Sequence, residues 1–338
     1  MAGNTCIVVC GKKYDTGTRV VLWDEPGGYN GYDTTKYVHK VQNRKTGKTE
    51  KRVVSGYRFS RRNWRRKRTL DNLQKAVTQF FLHHDGMYRA RGTFHVLHVE
   101  RGLSCHFLMD DDGTIYQTID LWEKGWHGGN CNPVAVGIEI ASRAMAGRFP
   151  NAYDKYNQKK RGVGPRRKRH DVINGRKLRG YEFNDKQYAA LIHLGITMTE
   201  LFPLMGGENA DFPRVQGKIT KSTLAKPKSH KGFICHYHAS KSKIDPISFD
   251  HQRFLNGVRS DDPNAKTTFD LTPTFELDSW LERQNALIAL GYNPGGADGA
   301  FGPNTKRALK KFQKDNGLVP DGIWGPKTQA AMEKKIKG

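Results

Sequence analysis

The stretch VTQFFLHHDG, residues 77–86, runs from apolar residues into two adjacent histidines. A short, continuous apolar run bounded by turn residues is typical of a buried strand. A second run, VAVGIEIA at 134–141, has the same character, and we expect it to be central in a sheet. The two runs place His83, His84 and Glu139 at or inside apolar strands, where titratable side chains are uncommon.

Further elements around these strands predict a mixed α/β domain. The stretch 106–119 (HFLMDDDGTIYQTI) reads as two strands joined by a tight turn at Asp-Asp-Gly. The stretch 184–202 reads as a long helix, with Asn184 and Gln187 as a cap pair. Strands interleaved with a helix favour the α/β class, with a mixed central sheet flanked by helices. The insert 153–170 is basic and contains glycine, so we expect an exposed loop there.

The C-terminal part of the chain contains an internal repeat. The sequence DGAFGPNTKRAL at 298–309 returns as DGIWGPKTQAAM at 321–332, and each copy leads into a helical pattern. Asp-Gly suits a tight turn, and we expect the aromatic residue to hold its loop in a core. With a helix that begins at SWLE, 279–282, the repeats predict a small three-helix bundle over 277–338. The polar stretch 257–276 before it reads as a linker.

Positive charge is the most pronounced bulk property. The 338 residues contain 57 Lys and Arg against 33 Asp and Glu, a net charge of +24. Two clusters, 61–68 and 159–170, are especially basic. A polyanion is therefore the expected partner, whether nucleic acid, an anionic membrane or an acidic cell-wall polymer. No zinc-finger, RNP-type or helix-turn-helix pattern accompanies the clusters, which argues against specific nucleic-acid binding.

The sequence contains no apolar run near the 18 residues of a membrane span. The first residues, MAGNTCIVVCGKKYD, hold too short an apolar core for a signal peptide. We therefore expect synthesis in the cytoplasm without Sec-type export. Five scattered cysteines fit a reducing compartment better than a disulfide framework.

A second histidine-rich stretch, CHYHASKSKIDP at 235–246, supplies candidate metal ligands. A hydrolytic zinc takes three protein ligands and leaves one position open. One histidine of the 83–84 pair, with a histidine and Asp245 from the second stretch, would make such a set. Spacing alone favours the plainer interpretation, in which these histidines only pack or form hydrogen bonds.

Two other polar residues fit metal-assisted hydrolysis. Glu139 lies inside an apolar strand, where an ionised carboxylate is costly without a partner. It could form a buried salt bridge, or act as a general base or acid beside a metal-bound water. Lys243 lies two residues before Asp245 and could stabilise an oxyanion at the same site, although most lysines simply remain on the surface.

The blocks FLHHDG, SCHFLMDDDGTIYQTI, WHGG, VGIEIA and CHYHASKSKIDP together resemble the zinc-dependent N-acetylmuramoyl-L-alanine amidases. These enzymes share the fold of the peptidoglycan recognition proteins. The C-terminal repeat resembles the peptidoglycan-binding three-helix domain often fused to such amidases. The resemblance implies a catalytic domain at 71–256, a linker at 257–276 and a wall-binding domain at 277–338. Residues 1–70 remain an N-terminal extension without a predicted role.

Carried over position by position, the resemblance implies roles for individual residues. His83, His236 and Asp245 would bind Zn²⁺. Glu139 would be the catalytic base, and Lys243 would stabilise the oxyanion. The implied substrate-binding residues are Trp126, His127, His84 and Asn130, and the implied wall-binding residues are Asp298, Phe301, Asp321 and Trp324.

The sequence departs from the family pattern at two positions. Cys105 stands where some members have a catalytic tyrosine, which favours the subgroup that relies on Glu139. Cys235 stands where the family has glycine before the second ligand, and a further histidine, His238, follows two residues after His236. Residues i and i+2 share a face in an extended segment, so His238 is the alternative to His236.

These features predict a monomeric, modular peptidoglycan hydrolase of the phage-lysin type, which acts at the cell wall after release or delivery. It would cleave the amide between the muramoyl lactyl group and L-alanine. Anionic wall or envelope polymers would be further partners of the basic clusters. Two alternatives stay open: a non-catalytic muropeptide-binding protein, and a bacterial wall-remodelling or effector amidase.

Overall fold

The structure is a computed structural model that describes residues 4–42, 46–62, 67–161, 163–260, 277, 280–295 and 300–337. Its strands are β1 Cys6–Val9, β2 Lys12–Asp15, β3 Val20–Leu22, β4 Tyr37–Gln42, β5 Thr49–Val54, β6 Phe59–Arg61, β7 Gln79–His84, β8 Phe107–Met109, β9 Ile115–Gln117, β10 Glu123–Gly125, β11 Ala135–Ile140, β12 Lys168–Ile173, β13 Arg176–Tyr181, β14 Arg214–Val215, β15 Lys218–Ile219 and β16 Gly232–Cys235. Its α-helices are α1 Leu70–Gln74, α2 Ala90–Phe94, α3 Lys155–Arg161, α4 Asp185–Leu201, α5 His236–Ala239, α6 His251–Arg259, α7 Trp280–Ala289, α8 Pro303–Asp315 and α9 Pro326–Lys337. A π-helix covers His95–Arg101, and 3-10 turns include Gly129–Cys131 and Pro227–Ser229.

Six strands form the central sheet, in the order β16-β7-β11-β8-β9-β3. Strand β11 runs parallel to both β7 and β8, whereas β8 and β9 are antiparallel. All six residues of β11 are buried, because strands lie on both sides of it and packed layers cover both faces. The predicted mixed sheet, its central strand and the hairpin within 106–119 are therefore confirmed.

Helix α4 packs against one face of the sheet together with α6. Its start is a capping box, in which the Asn184 side chain accepts from the Gln187 backbone N–H and the Gln187 side chain accepts from the Asn184 N–H. The predicted cap pair is thus confirmed. Leu194 of α4 and Phe254 of α6 are fully buried in the main core. Apolar burial of this kind contributes roughly 1.5–3 kcal/mol for each large side chain.

The segment before residue 71, for which the sequence predicts no role, packs into the same core. Ile7, Val8 and Val9 of β1 belong to the main hydrophobic cluster. Strand β3 pairs in parallel with β9 and forms one edge of the sheet. The predicted division at residues 70 and 71 therefore does not coincide with an edge of the packed core.

Two expectations about surface segments differ from the structure. The insert 153–170 is not simply a loop, because it contains helix α3 and the first half of strand β12, which pairs with β13. The β12–β13 ribbon exposes basic side chains on both of its faces, so its sequence lacks the alternation of apolar and polar residues that predicts a strand. Helix α6 continues to Arg259, past the predicted domain end at 256. The rest of the predicted linker, 261–276, lies outside the described residues.

The three predicted C-terminal helices are confirmed as α7, α8 and α9, which we call the C-terminal bundle. Its small core includes Leu287, Leu309, Phe312 and Met332. Phe301 differs from expectation: it is 42% exposed and stacks on Trp280 with ring centroids 4.1 Å apart. The predicted wall-binding residue Asp298 and the cap residue Ser279 lie outside the described residues. Within the described part of the chain, no helix is both long and apolar enough to cross a membrane.

Candidate active site

Strand alternation places the predicted chemistry on one face of the sheet. On β7 and β11, Phe80, Leu82, Val136 and Ile138 join the main core beneath α4. Phe81, His83, Gly137 and Glu139 therefore point to the opposite face, because successive side chains of a strand alternate. The parallel register sets Glu139 directly beside His83.

The other two donors arrive with the neighbouring edge strand. Strand β16 lies beside β7, and helix α5 begins at His236, immediately after β16 ends. Nδ1 of His83 is 3.0 Å from Nδ1 of His236 and 3.1 Å from Oδ2 of Asp245. Nδ1 of His236 is 2.9 Å from the same carboxylate oxygen. The chain thus brings together three donors that are far apart in sequence.

This donor set fits a divalent metal. Two imidazole nitrogens and one carboxylate oxygen are the ligands that hydrolytic zinc takes when one position stays open. Two ligands about 2.0–2.1 Å from a tetrahedral zinc lie roughly 3.3 Å apart, close to the separations of these three atoms. The described residues contain one such cluster of His, Cys, Asp or Glu donors.

Burial and the contacts between the donors together keep His83 and Asp245 in the protonation states that metal binding requires. Burial and the neighbouring His236 imidazole lower the pKa of His83 to about 4. Burial alone would raise the pKa of Asp245, but the two imidazoles hold it well below its ordinary value. At neutral pH the cluster therefore offers lone pairs from neutral His83 and a carboxylate, as metal ligands must.

Glu139 stands at the edge of the donor cluster without a firm partner. Its Oε1 lies 4.0 Å from Nδ1 of His83. Its Oε2 is buried and has no hydrogen-bond partner among the described residues. Burial raises the pKa of Glu139 well above its ordinary value, and the nearby carboxylates of Asp245 and Asp85 add to the shift. The alternative of a buried salt bridge finds no Lys or Arg partner among the described residues, which leaves this carboxylate free for proton transfer.

The catalytic cavity, as we call the space in front of this cluster, has a volume of about 150 Å³. Glu139, His236, Asp245 and Lys243 all line it. Arg101, which ends the π-helix, lines it too and is one of two cations that lower the pKa of Glu139, the other being Lys243. The cavity is thus bordered by three carboxylates, Asp85, Glu139 and Asp245, and by two cations that can stabilise negative charge on a substrate.

Two of the predicted substrate-binding residues, His127 and His84, also line the cavity and form hydrogen bonds next to the proposed metal ligands. His127 places Nδ1 3.1 Å from Nε2 of His83. A neutral His83 that directs the lone pair of Nδ1 to a metal carries its proton on Nε2, and donates it to His127. His84 accepts a hydrogen bond at Nδ1 from the Ile247 backbone N–H, 3.1 Å away, and so holds the turn after Asp245.

The alternative ligand His238 points elsewhere. Its Nδ1 accepts from the Cys235 backbone N–H at 3.0 Å, and its Nε2 lies 2.8 Å from the Thr220 carbonyl oxygen. It is completely buried. The segment turns into helix α5 at this point, so residues 236 and 238 do not share a face as they would in a strand.

Trp126 and Asn130 line a separate cleft rather than the catalytic cavity. This cleft has a volume of about 600 Å³ and is also lined by Lys124, Lys226 and Lys228. Because Trp126 and His127 are consecutive, the two spaces lie on either side of one loop. The four predicted substrate-binding residues are therefore divided between two spaces.

Sequence reasoning missed three residues that shape the site. Asp85 accepts hydrogen bonds from the Thr93 hydroxyl and from the Met87 and Ser142 backbone N–H groups, and burial raises its pKa to about 7. Gly137 makes room for His127, since a Cβ there would lie 2.3 Å from the imidazole. Its position opposite Phe81 in a strand of otherwise large residues was the available signal.

His106 supports the same strand. Its Nδ1 accepts from the Gly137 backbone N–H at 3.1 Å, and its Nε2 lies 3.0 Å from the Glu123 carbonyl oxygen. These two bonds fit one neutral tautomer. Burial and the nearby Arg62 guanidinium lower the pKa of His106 to about 3.

Family models match both parts of the chain. Residues 73–198 match the family described as N-acetylmuramoyl-L-alanine amidase, and residues 277–332 match a putative peptidoglycan binding domain. Three solved structures show low similarity. The selenomethionine AmpD derivative is 15% identical with a TM-score of 0.33, over 58% of this chain and 88% of that one. LysC from Clostridium intestinale is 15% identical with a TM-score of 0.31, over 54% of this chain and 85% of that one. AmpDh3 from Pseudomonas aeruginosa, in complex with an anhydromuramic pentapeptide, is 14% identical with a TM-score of 0.29, over 77% of this chain and 72% of that one.

Curated relatives extend the match beyond single domains. The N-acetylmuramoyl-L-alanine amidase CwlH of Bacillus subtilis is 38% identical over 260 residues, which are 69% of this chain and 78% of that protein. A probable N-acetylmuramoyl-L-alanine amidase of Bacillus licheniformis is 47% identical over 60 residues, 16% of this chain and 17% of that protein. The chain belongs to the N-acetylmuramoyl-L-alanine amidase family, with a C-terminal peptidoglycan-binding domain.

Proposed function

We propose that this amidase is zinc-dependent, with the metal held by His83, His236 and Asp245. The observation that carries the proposal is the convergence of three donor atoms, 2.9 to 3.1 Å apart, beside a buried and unpaired carboxylate. When bound, zinc would polarise the scissile carbonyl and an attacking water. The bond cleaved is the amide between the muramoyl lactyl group and L-alanine.

Glu139 is the proton carrier in this proposal. Its side chain lines the catalytic cavity, and its Oε2 has no hydrogen-bond partner among the described residues. It takes a proton from the attacking water as the new C–O bond forms. It then delivers that proton to the L-alanine nitrogen as the C–N bond breaks. A carboxyl whose pKa is raised by burial is suited to both halves of this transfer.

Lys243 is the cation that stabilises the negative charge on the former carbonyl oxygen. It lines the cavity together with Glu139 and Asp245. Its backbone is held, because its N–H donates to the Ser240 carbonyl and its carbonyl accepts from the Asn174 amide. A cation held in place before the reaction avoids the cost of reorganising around the developing charge.

The remaining parts of the proposal concern where the enzyme works. The C-terminal bundle holds the catalytic domain on insoluble peptidoglycan and raises the local substrate concentration. Exposed basic segments, such as α3 and the β12–β13 ribbon, adsorb to anionic wall or envelope polymers. We propose a monomeric lysin-type enzyme, since one chain contains a complete donor set and its own wall-binding bundle.

Mass spectrometry of digested peptidoglycan tests the chemistry. We expect wild type to release stem peptides with a free L-alanine amino terminus. Glu139→Gln keeps the size of the side chain but removes the base, so we expect a loss of roughly 10²–10⁴-fold with zinc content unchanged. Glu100→Gln, an exposed glutamate, is the matched control and should be fully active. Release of new reducing sugar ends, or full activity of Glu139→Gln, contradicts the proposal; binding to muropeptides without any release favours the non-catalytic alternative.

A further inference from the structure

The cleft beside the catalytic cavity, which we call the lysine cleft, has no assigned role in the chemistry above. It lies between the loop that follows β10 and the 3-10 turn Pro227–Ser229. Lys124, Lys226 and Lys228 line it, with Trp126 and Asn130. Its volume of about 600 Å³ is large enough for several residues of an extended ligand.

Both walls of the lysine cleft are held in place by side-chain hydrogen bonds. The Gln79 side chain on β7 is fully buried and donates to the carbonyls of Pro227 and His230, at 2.7 and 2.8 Å. On the other wall, the Trp126 indole N–H donates to the Ser60 hydroxyl at 3.3 Å. The cleft is therefore a preformed feature, which lowers the entropic cost of binding.

The loop between the two spaces connects the cleft to the reacting bond. Asn132 accepts at its side-chain oxygen from the N–H groups of His127 and Gly128, at 3.2 and 2.6 Å. These two hydrogen bonds hold the loop so that His127 faces His83 and the preceding residue, Trp126, faces the cleft. A substrate chain that leaves the catalytic cavity across this loop therefore enters the lysine cleft.

Charge decides which part of the substrate the cleft suits. No acidic residue is among the lining residues, and the three lysines form no ion pair with the described part of the chain. The bond cleaved joins two chemically different halves. The glycan is built of uncharged N-acetylated sugars, whereas the stem peptide carries free carboxylates. Three unpaired ammonium groups complement the peptide half.

We propose that the lysine cleft binds a carboxylate of the stem peptide, so that the enzyme prefers stems with free carboxylates over amidated stems. This inference rests on the proposed catalytic centre, since the direction of the substrate is taken from that centre. Lys226 and Lys228 are the specificity-determining residues, because both belong to the exposed turn anchored by Gln79.

Steady-state kinetics on two soluble muropeptides test the preference. The two substrates carry the same tripeptide stem, with its side carboxylates either free or amidated. We expect wild type to favour the free form by roughly two- to fivefold in kcat/KM, the size of one exposed charge contact. The double variant Lys226→Gln/Lys228→Gln should lose the preference through KM, with kcat unchanged. Lys186→Gln/Lys218→Gln removes the same charge from exposed positions outside the cleft and should keep the preference.

Two results overturn the inference: equal kcat/KM for both substrates in wild type, or a preference that the Lys226→Gln/Lys228→Gln variant retains. If wild type cleaves neither substrate, the catalytic proposal fails, and the cleft is then tested by binding alone. For this, calorimetry with Glu139→Gln and each intact muropeptide is used. Tighter binding of the free form that disappears in the double lysine background supports the cleft, and equal binding of both forms rejects it.

Discussion

The catalytic centre and the C-terminal bundle are assembled in opposite ways. His83 and Asp245 lie 3.1 Å apart although 162 residues separate them in the chain. In the bundle, Gln313 donates to Asp321 and Thr328, which are only 8 and 15 residues away, and accepts from the Gly322 N–H. The catalytic centre therefore depends on the register of a whole sheet, whereas each loop of the bundle is held by one nearby glutamine. We therefore expect a substitution in the catalytic centre to affect distant residues, and a substitution in the bundle to affect only its own loop.

The largest expected effect on activity comes from removing one of the three proposed metal donors that the sheet positions. His236→Ala should reduce bound zinc to well below one equivalent and lower peptidoglycan hydrolysis by roughly 10³-fold or more, because two donors rarely retain a hydrolytic metal. Zinc analysis and turbidity loss of a peptidoglycan suspension measure both effects.

His238→Ala is the informative control for that experiment. It leaves the Cys235 N–H and the Thr220 carbonyl without their buried partner, so we expect a stability loss of roughly 1–3 kcal/mol. It should nevertheless keep the metal. Loss of zinc from His238→Ala but not from His236→Ala would exchange the roles of the two histidines.

A smaller effect is expected from Gly137→Ala, which tests whether the sheet positions His83 through His127. The added Cβ would lie 2.3 Å from the His127 ring, so the ring must move away from Nε2 of His83. Loss of such a supporting hydrogen bond weakens metal affinity by about 10–100-fold. Competition with a chelator measures the affinity. Gly147→Ala adds the same atom in open space and should change nothing; an unchanged affinity in Gly137→Ala would show that His127 is not needed.

In the bundle, the expected effect is local. Gln313→Ala removes the hydrogen bonds that hold the second repeat loop, which carries Trp324. We expect roughly tenfold less enzyme to sediment with insoluble peptidoglycan, as buried partners left unpaired cost about 1–3 kcal/mol each. Turnover of a soluble muropeptide should not change. A parallel fall in the turnover of the soluble muropeptide would mean that the two regions are coupled, and would contradict the contrast drawn between them.

The smallest effect at neutral pH is expected from His106→Gln. The pKa of His106 is about 3 in the folded protein, below the ordinary value of 6.5, so the unfolded chain binds the extra proton first. Its contribution to stability is therefore complete above pH 6.5 and is lost as pH falls toward 3. Glutamine can still accept from Gly137 and donate to Glu123, without titrating. Urea unfolding at pH 7 and pH 4 should show a smaller difference for the variant, by roughly 3 kcal/mol.

An equal difference in His106→Gln and wild type would assign the acid sensitivity to other buried groups. His98 is one candidate, since burial and the Arg58 guanidinium lower its pKa to about 4. Activity at pH 7 serves as the control, because both forms are neutral there and should hydrolyse peptidoglycan equally.

Much of the catalytic centre could be predicted from the sequence because its residues break local patterns. His83 and Glu139 stand out within apolar strands, and a buried carboxylate needs an explanation. The lysine cleft could not be found in this way, because Lys226 and Lys228 are two among 57 basic residues with no pattern around them. Only the fold places their turn beside Trp126.

The same reasoning explains the expectations that differ from the structure. The repeat predicts that Phe301 and Trp324 have equivalent places, but it carries no information on what lies outside the loops. Trp280, which precedes the repeats, offers a ring to stack on, and Phe301 stays partly exposed against it. The short strands of the first 70 residues lack a periodicity of their own, and the place of β3 in the sheet depends on β9, more than 90 residues later.

The order of the strands also determines when the sheet can be completed during synthesis of the chain. One edge strand, β3, is among the first parts of the chain to leave the ribosome, and the other, β16, ends at Cys235. At 5–20 residues per second, β3 waits about 10–40 s before the opposite edge exists. His236 and Asp245 follow that last strand, so the nascent protein gains two of its three proposed metal donors only after the sheet is complete. A ribosome that stops before residue 235 therefore leaves a chain that is both unfinished as a fold and harmless to the wall.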